Sequence, residues 1–204
     1  LYKTDGTAEG TTLLSRRDLR VSKIVAADDG VYFSATPAGQ WTTQLWKSDG
    51  TREGTVMIKD SIFNEFVAVG SKLYFTIQLQ DRTLELWSTD GTNTSRLRSF
   101  PAPGNNHGQG MLTLTAFKDT LYFHAPYSHV HSGLWKSDGT AEGTGLVEKV
   151  GAIEALIPTE SNLFFFKYNK LYVTDGTAEG TQKLSNTLYV SVDPSLPDQF
   201  ATIN

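Results

Sequence analysis

The triplet Asp-Gly-Thr occurs five times in this chain, with its aspartates at Asp5, Asp49, Asp90, Asp138 and Asp175. Successive copies are separated by 44, 41, 48 and 37 residues. A phrase returning at that period restricts the chain to a repeat architecture, because each copy must solve the same local folding problem. The fuller phrase reads "LYKTDGTAEGTTLLS" at 1–15, "LWKSDGTREGTVMIKD" at 45–60, "LWKSDGTAEGTGLVEK" at 134–149 and "LYVTDGTAEGTQKLS" at 171–185. The third copy, "TDGTNTSRL", lacks the second Gly-Thr and carries Ser95 and Arg96 there, so its turn must differ.

A second phrase alternates with the first: "GVYFSA" (30–35), "KLYFTI" (72–77), "TLYFHA" (120–125) and "NLFFFK" (162–167). Each period then contains four short strands, A to D. Strand A is represented by "VSKIVAA" (21–27) and "FVAVG" (66–70), strand B by the Tyr-Phe phrase, strand C by "QLWKS" or "ELWST", and strand D by "TVMIKD". These runs are rich in β-branched and aromatic residues and are bounded by Gly, Asp, Asn and Ser. No helical periodicity persists for a useful length. The pattern predicts an all-β fold, a five-bladed β-propeller of four-stranded antiparallel blades in one domain, 1–204.

The predicted blades span about 21–60, 61–100, 101–149 and 150–185, and the fifth combines 186–204 with 1–14. The N-terminus supplies strands C and D of that blade; "TLYVSV" (187–192) and "QFATIN" (199–204) supply A and B. Sharing a blade between the termini closes the ring and removes two sheet edges. The rival is an excerpt from a longer array, and the chain does open inside a repeat.

Asp-Gly-Thr lies between strands C and D, where the chain reverses. Glycine supplies a positive φ, and the aspartate carboxylate folds onto backbone N–H groups two residues on. The second glycine, at Gly54, Gly143 and Gly180, lets the hairpin re-enter its ladder, with a bulge as one route. A calcium loop would need alternating acidic ligands, whereas each copy has one early Asp and at most one Glu. The phrase therefore reads as architecture, with no metal or other cofactor. Trp46, Trp87 and Trp135, with Tyr2 and Tyr172, share one slot in strand C and are expected to fill the wedge between blades; a ring of ligand-stacking aromatics is the alternative.

The pattern Leu-Trp, Lys-Ser-Asp-Gly-Thr, Gly-Thr resembles the "ELWxSDGTxxGT" repeats of large exported bacterial proteins, which are similar to β-propellers. The resemblance covers essentially the whole chain and implies export, to the extracellular space or cell surface, but no single activity. The hairpin more distantly resembles the Asp-box of sialidase propellers, a structural turn with a different spacing. Five blades in a short chain resemble the plan of tachylectin-type lectins, whose own motifs are absent. None of these resemblances transfers a catalytic residue.

In such a fold the A–B and C–D turns share one rim, and the B–C loops and D–A crossovers share the other. The C–D turns are monotonous. The opposite rim carries "TPAGQWTTQ" (36–44), "QLQDRT" (78–83), "PYSHVHSG" (126–133) and the long crossover "FPAPGNNHGQG" (100–110). Variation on a fixed scaffold is where specificity is usually placed. The predicted ligand-binding residues on that rim are Trp41, Gln44, Asn106, His107, Tyr127 and His129. Trp41 is the tryptophan outside the strand C slot, set either to stack on a ligand or to fold over its own blade. All four histidines fall within 101–149. His129 and His131 alternate and would face one way, with His107 or His124 completing a weak metal site; exposed imidazoles in a polar loop are the plainer reading. Asn93-Thr94-Ser95 is a glycosylation sequon that matters in a chain secreted by a eukaryote.

Composition narrows the rest. The formal net charge is −4 and the basic residues are scattered, which disfavours a nucleic-acid surface. No apolar run reaches the roughly 18 residues of a membrane-spanning helix. Cysteine is absent, so disulfides and thiolate chemistry are excluded. No Gly-x-Ser-x-Gly, His-Glu-x-x-His or phosphate-cradling loop occurs. Asp81, Asp119, Glu154 and Glu160 offer carboxylates, but nothing singles out a glycosidase pair. The sequence therefore points to a non-enzymatic module that binds carbohydrate or protein. A structural or adhesive segment of a larger surface protein is the alternative, and a propeller glycoside hydrolase a more distant one.

Overall fold

The computed structural model describes residues 1–16, 18–60, 65–101, 112–125, 132–151, 153–168 and 170–184. Tyr2–Lys3 (β1) and Thr12–Leu13 (β2) form a two-stranded antiparallel ribbon. The first four-stranded sheet comprises Leu19–Ala27 (β3), Gly30–Pro37 (β4), Gln44–Ser48 (β5) and Val56–Asp60 (β6). The second comprises Phe66–Val69 (β7), Lys72–Gln78 (β8), Leu84–Thr89 (β9) and Thr94–Phe100 (β10). The third comprises Thr113–Phe117 (β11), Thr120–Ala125 (β12), Gly133–Ser137 (β13) and Gly145–Glu148 (β14). The fourth comprises Ala155–Pro158 (β15), Leu163–Lys167 (β16), Lys170–Thr174 (β17) and Gln182–Lys183 (β18).

Every sheet is antiparallel with its strands in chain order, so the predicted A–B–C–D grammar holds in all four. The first strands of successive sheets lie side by side, β3 by β7, β7 by β11 and β11 by β15. That is the inner-strand neighbourhood of a propeller. The first sheet begins at Leu19 rather than at 21, because its opening residues pair with Pro37 and Thr36 at the far end of β4. The ribbon, expected to supply strands C and D of a closing blade, joins none of the four-stranded sheets among the described residues. The predicted partners in 186–204 lie outside the described residues.

The Tyr-Phe phrase makes sense once both faces of a strand are followed, since consecutive side chains point to opposite faces. In each sheet the phenylalanine lies opposite the strand C aromatic and stacks on it: Phe33 on Trp46 at 6.1 Å, Phe75 on Trp87 at 6.4 Å, Phe123 on Trp135 at 6.0 Å and Phe165 on Tyr172 at 5.0 Å. The residue before it faces the other way, toward the next sheet. Tyr32 and Leu45 thus share a buried cluster with Phe66, Leu73, Phe75 and Ile77 of the second sheet. Tyr74, Leu84 and Leu86 meet Leu121, Phe123 and Trp135 of the third. Tyr122 and Leu134 meet Leu156, Leu163 and Phe165 of the fourth. Burying apolar side chains between successive sheets supplies the dominant favourable term of folding.

The turns behave as expected locally. The carboxylate oxygen Oδ1 of Asp49 accepts the backbone N–H of Thr51 at 2.8 Å and its hydroxyl at 2.7 Å, and Asp5, Asp138 and Asp175 repeat the pattern. The threonine hydroxyl, helped by its own N–H, holds each of these carboxyls below the ordinary range. The second glycine has a different reason from the expected bulge. A side-chain carbon at Gly54, Gly143 or Gly180 would strike the aspartate carboxylate that the turn folds inward. The bulges come later in strand D, where Ile58, Leu97 and Val147 are skipped by the register. The third copy does take another turn: Asp90 accepts the N–H groups of Thr92 and Asn93 and the Asn93 amide, within a shorter connection. Those donors, Asn93 N–H foremost, bring its carboxyl down to about 2.

Beyond closing their own hairpins, the turns at Asp90, Asp138 and Asp175 are also gripped by the sheet before them. The Lys47 ammonium donates to the Asp90 carbonyl at 2.9 Å, Ser88 Oγ to the Gly139 carbonyl at 3.2 Å and Lys136 to the Gly176 carbonyl at 3.4 Å. Lys3 reaches the Gly50 carbonyl at 3.5 Å in the same way. Where the gripping residue is the short Ser88, Lys72 from the adjoining strand reaches the Asp138 carbonyl at 3.0 Å. The tyrosines of strand B sit beneath these contacts, and burial raises all three phenols, Tyr74 to about 12. They therefore stay protonated at every physiological pH. In the fourth sheet the two equivalent positions are Phe164 and Val173, which lie opposite one another and cannot donate.

Candidate binding rim

The β4–β5 connection is a tight turn aimed off the sheet. Gln40 N–H donates to the Pro37 carbonyl at 3.1 Å, with Gly39 at φ +77° in the position a type II turn reserves for glycine. Ala38 N–H donates to the Asp18 carbonyl at 2.8 Å, which ties the loop to the crossover entering β3. The Thr36 and Thr43 hydroxyls meet at 3.2 Å and close its base. This held loop presents Trp41 to solvent with 97% of its surface exposed. The indole does not fold over its own sheet.

Beside it opens a groove of about 320 Å³, whose walls include Leu19, Pro37, Gln40, Gln44, Trp46 and Met57. Arg16 and Asp18 form its polar edge, joined as a bidentate pair at 3.1 and 2.8 Å. Gln44 is buried and lies in the groove wall, with half of its amide committed. Indole N–H groups can only donate, so the 3.1 Å contact from Trp46 Nε1 fixes the glutamine oxygen on the tryptophan and leaves its NH₂ for other partners. Glu85 plays the same part for Trp87 in the next sheet, at 3.0 Å, and its buried carboxylate is balanced by Arg96 at 2.8 Å and Ser99 at 3.3 Å.

Asn106, His107, Tyr127, His129 and His131 lie outside the described residues. His124 is described, and it is buried rather than exposed. Its ring, 4% exposed, sits between the third and fourth sheets, where Nε2 accepts the Ile153 backbone N–H at 3.2 Å. A metal at that nitrogen would have to displace this bond. Among the described residues no three His, Asp or Glu side chains come together as metal ligands.

Burial pushes the His124 imidazole down to about 4, against a partial opposing pull from a Gly151 backbone hydrogen bond. The unfolded chain therefore takes up a proton between about pH 6.5 and 4 that the folded chain refuses, and stability falls as pH drops through that window. The expected loss is about 3 kcal/mol. Urea unfolding of the wild type should show this slope and His124→Gln should flatten it. The turn aspartates add their own losses only below their ordinary value of 3.8, so the two effects are separable.

Two features of the rim are not legible in the sequence. Trp46, expected in the wedge between blades with ligand stacking as the alternative, is half-buried and lines the groove; Trp87 is also half-buried, whereas Trp135 is buried. Tyr168 in the β16–β17 loop is 67% exposed and held at φ +48°, a left-handed conformation that costs a bulky residue energy and is retained mainly where function or context demands it. Leu79, exposed in the β8–β9 loop, places a further apolar side chain on this rim.

No family model matches the chain, and no curated protein matches it. Solved structures do. PorZ, an essential bacterial surface component of the type-IX secretion system of Porphyromonas gingivalis, aligns with a TM-score of 0.51 at 13% identity, over 82% of this chain and 23% of its own. YCF48 from Cyanidioschyzon merolae aligns at 0.48 and 9% identity, over 86% of this chain and 59% of its own. Myxococcus xanthus glutaminyl cyclase aligns at 0.31 and 13% identity, over 78% of this chain and 73% of its own. The chain thus spans less than a quarter of the PorZ chain. PorZ is a β-propeller protein, and at this identity the likeness speaks for the fold: the four sheets are blades of the propeller type.

Proposed function

We propose that the chain is a non-enzymatic binding module, displayed outside the cell or at its surface, which recognises a carbohydrate or protein ligand through the rim of B–C loops and D–A crossovers. The observation that carries this reading is the almost wholly exposed Trp41, on a loop tied down at its base, beside a groove of mixed polarity. An exposed indole on an ordered loop buries a large area on binding at small entropic cost. The residues 186–204 and 1–14 are proposed to complete a fifth blade, which leaves all the structural turns on the opposite rim.

Binding to a glycan array and to a panel of surface proteins tests the proposal. Trp41→Ala should weaken the captured interaction by about 10-fold or more, the effect of losing a central aromatic anchor, with no loss of thermal stability. Because the rim loops differ from blade to blade, one or two dissimilar sites are expected in a titration. Five equivalent sites, or binding indifferent to Trp41, would contradict it. Turnover of chromogenic glycosides by the pure protein would move the reading to a hydrolase.

A further inference from the structure

The chain contains its own precedent for what the strand C tryptophan slot holds. Trp87 carries the Lys59 ammonium over its ring at 4.2 Å, and Trp135 carries the Arg98 guanidinium at 4.8 Å. In both cases the cation comes from strand D of the preceding repeat and covers the ring as a lid, while the phenylalanine of strand B stacks on the tryptophan within its own sheet. Lys59 lies ten residues after Asp49, and the same count from Asp5 reaches Ser15, which is short and uncharged; Arg98 lies eight after Asp90 because that turn is shorter. Among the described residues no cation lies over Trp46, and the ring lines the groove instead.

We propose that the Trp46 slot takes its cation from outside the chain: a lysine or arginine side chain of a protein partner, inserted into the groove. This rests on the binding-rim reading and chooses the protein ligand within it. The surroundings suit such a guest. Leu19, Pro37 and Met57 offer apolar walls for the methylene stem, and the Asp18 carboxylate stands at the edge, where Arg16 neutralises it without covering the ring. The Gln44 oxygen already holds the indole N–H, so the ring is fixed in orientation before the guest arrives. The chain's formal charge of −4 favours a basic partner. The volume of about 320 Å³ accommodates one long side chain with its flanking backbone.

Indole N–H resonances of the ¹⁵N-labelled chain read this directly, with the Trp46 signal assigned by Trp46→Phe. Titration with a short peptide bearing one central lysine, or one arginine, should move the Trp46 signal saturably and leave those of Trp87 and Trp135 in place. The same peptide with norleucine should bind about 10-fold more weakly. Ser15→Lys, which restores the missing lid, should abolish the response, whereas Ser15→Ala should retain it. Equal binding of the norleucine peptide, an unchanged response in Ser15→Lys, or silence toward every peptide would overturn the inference. A Trp46 shift produced by methyl glucoside and not by the peptides would overturn it too, while leaving the rim as a glycan site.

Discussion

Trp135→Ala should lower the unfolding free energy by about 4 kcal/mol. The ring is 3% exposed, stacks on Phe123 at 6.0 Å, meets the edge of Phe100 at 5.4 Å and lies beneath Arg98. Its removal would leave a cavity at the junction of the second and third sheets, walled by residues that belong to both and cannot collapse without shifting a blade. The same change at Trp46 should cost about half as much, because that ring already borders an open groove and has less packing to lose. Urea unfolding of the two variants side by side measures the contrast. Equal losses would mean that Trp46 is as much a core residue as its sister.

Gly176→Ala should cost about 3 kcal/mol, from two sources that a second glycine separates. Gly176 has φ +100° and Gly6 has φ +95°, so an alanine at either site meets about the same backbone strain, of roughly 1–2 kcal/mol. The difference lies in the neighbour. An added side-chain carbon at Gly176 would run into the Tyr122 hydroxyl of the preceding sheet, whereas nothing lies within 4 Å of that position at Gly6. Overpacking at the first site adds about another 1–2 kcal/mol. Gly139 stands in the same relation to its neighbour, with Lys72 Nζ 2.7 Å and Tyr74 Oη 3.0 Å from where the carbon would be. If Gly6→Ala and Gly176→Ala destabilise equally, the glycine is needed by its own turn alone.

Much of this organisation was legible in the residues. Period, strand order and the fold of each Asp-Gly-Thr turn are local properties: alternation, turn chemistry and a carboxylate two residues from an N–H. The anomalous turn at Asp90 was visible for the same reason, as a missing Gly-Thr. What escaped was every property set between sheets. The second glycine is legible as the point where the hairpin re-enters its ladder, but the clash that a side chain there would make with the aspartate carboxylate is not. The role of Lys47 and Lys136 as grips on the next turn depends on a neighbour some 40 residues away. Trp46 was grouped with Trp87 and Trp135 because the three share a phrase, and only the identity of Ser15 against Lys59 and Arg98 tells them apart. His124 was grouped with loop histidines by sequence proximity, although strand register places it in the core beside Ile153. Repeats make local structure easy to read and hide the differences that set function.

The central claim is that the recurring turn joins neighbouring blades as well as reversing the chain, and a double-mutant cycle between Tyr122 and Gly176 tests it most directly. Tyr122→Phe removes the hydroxyl that crowds Gly176, so alanine at 176 should cost at least 1 kcal/mol less in that background than in the wild type. An alanine penalty of the same size in both backgrounds would show that the two blades do not meet through this glycine.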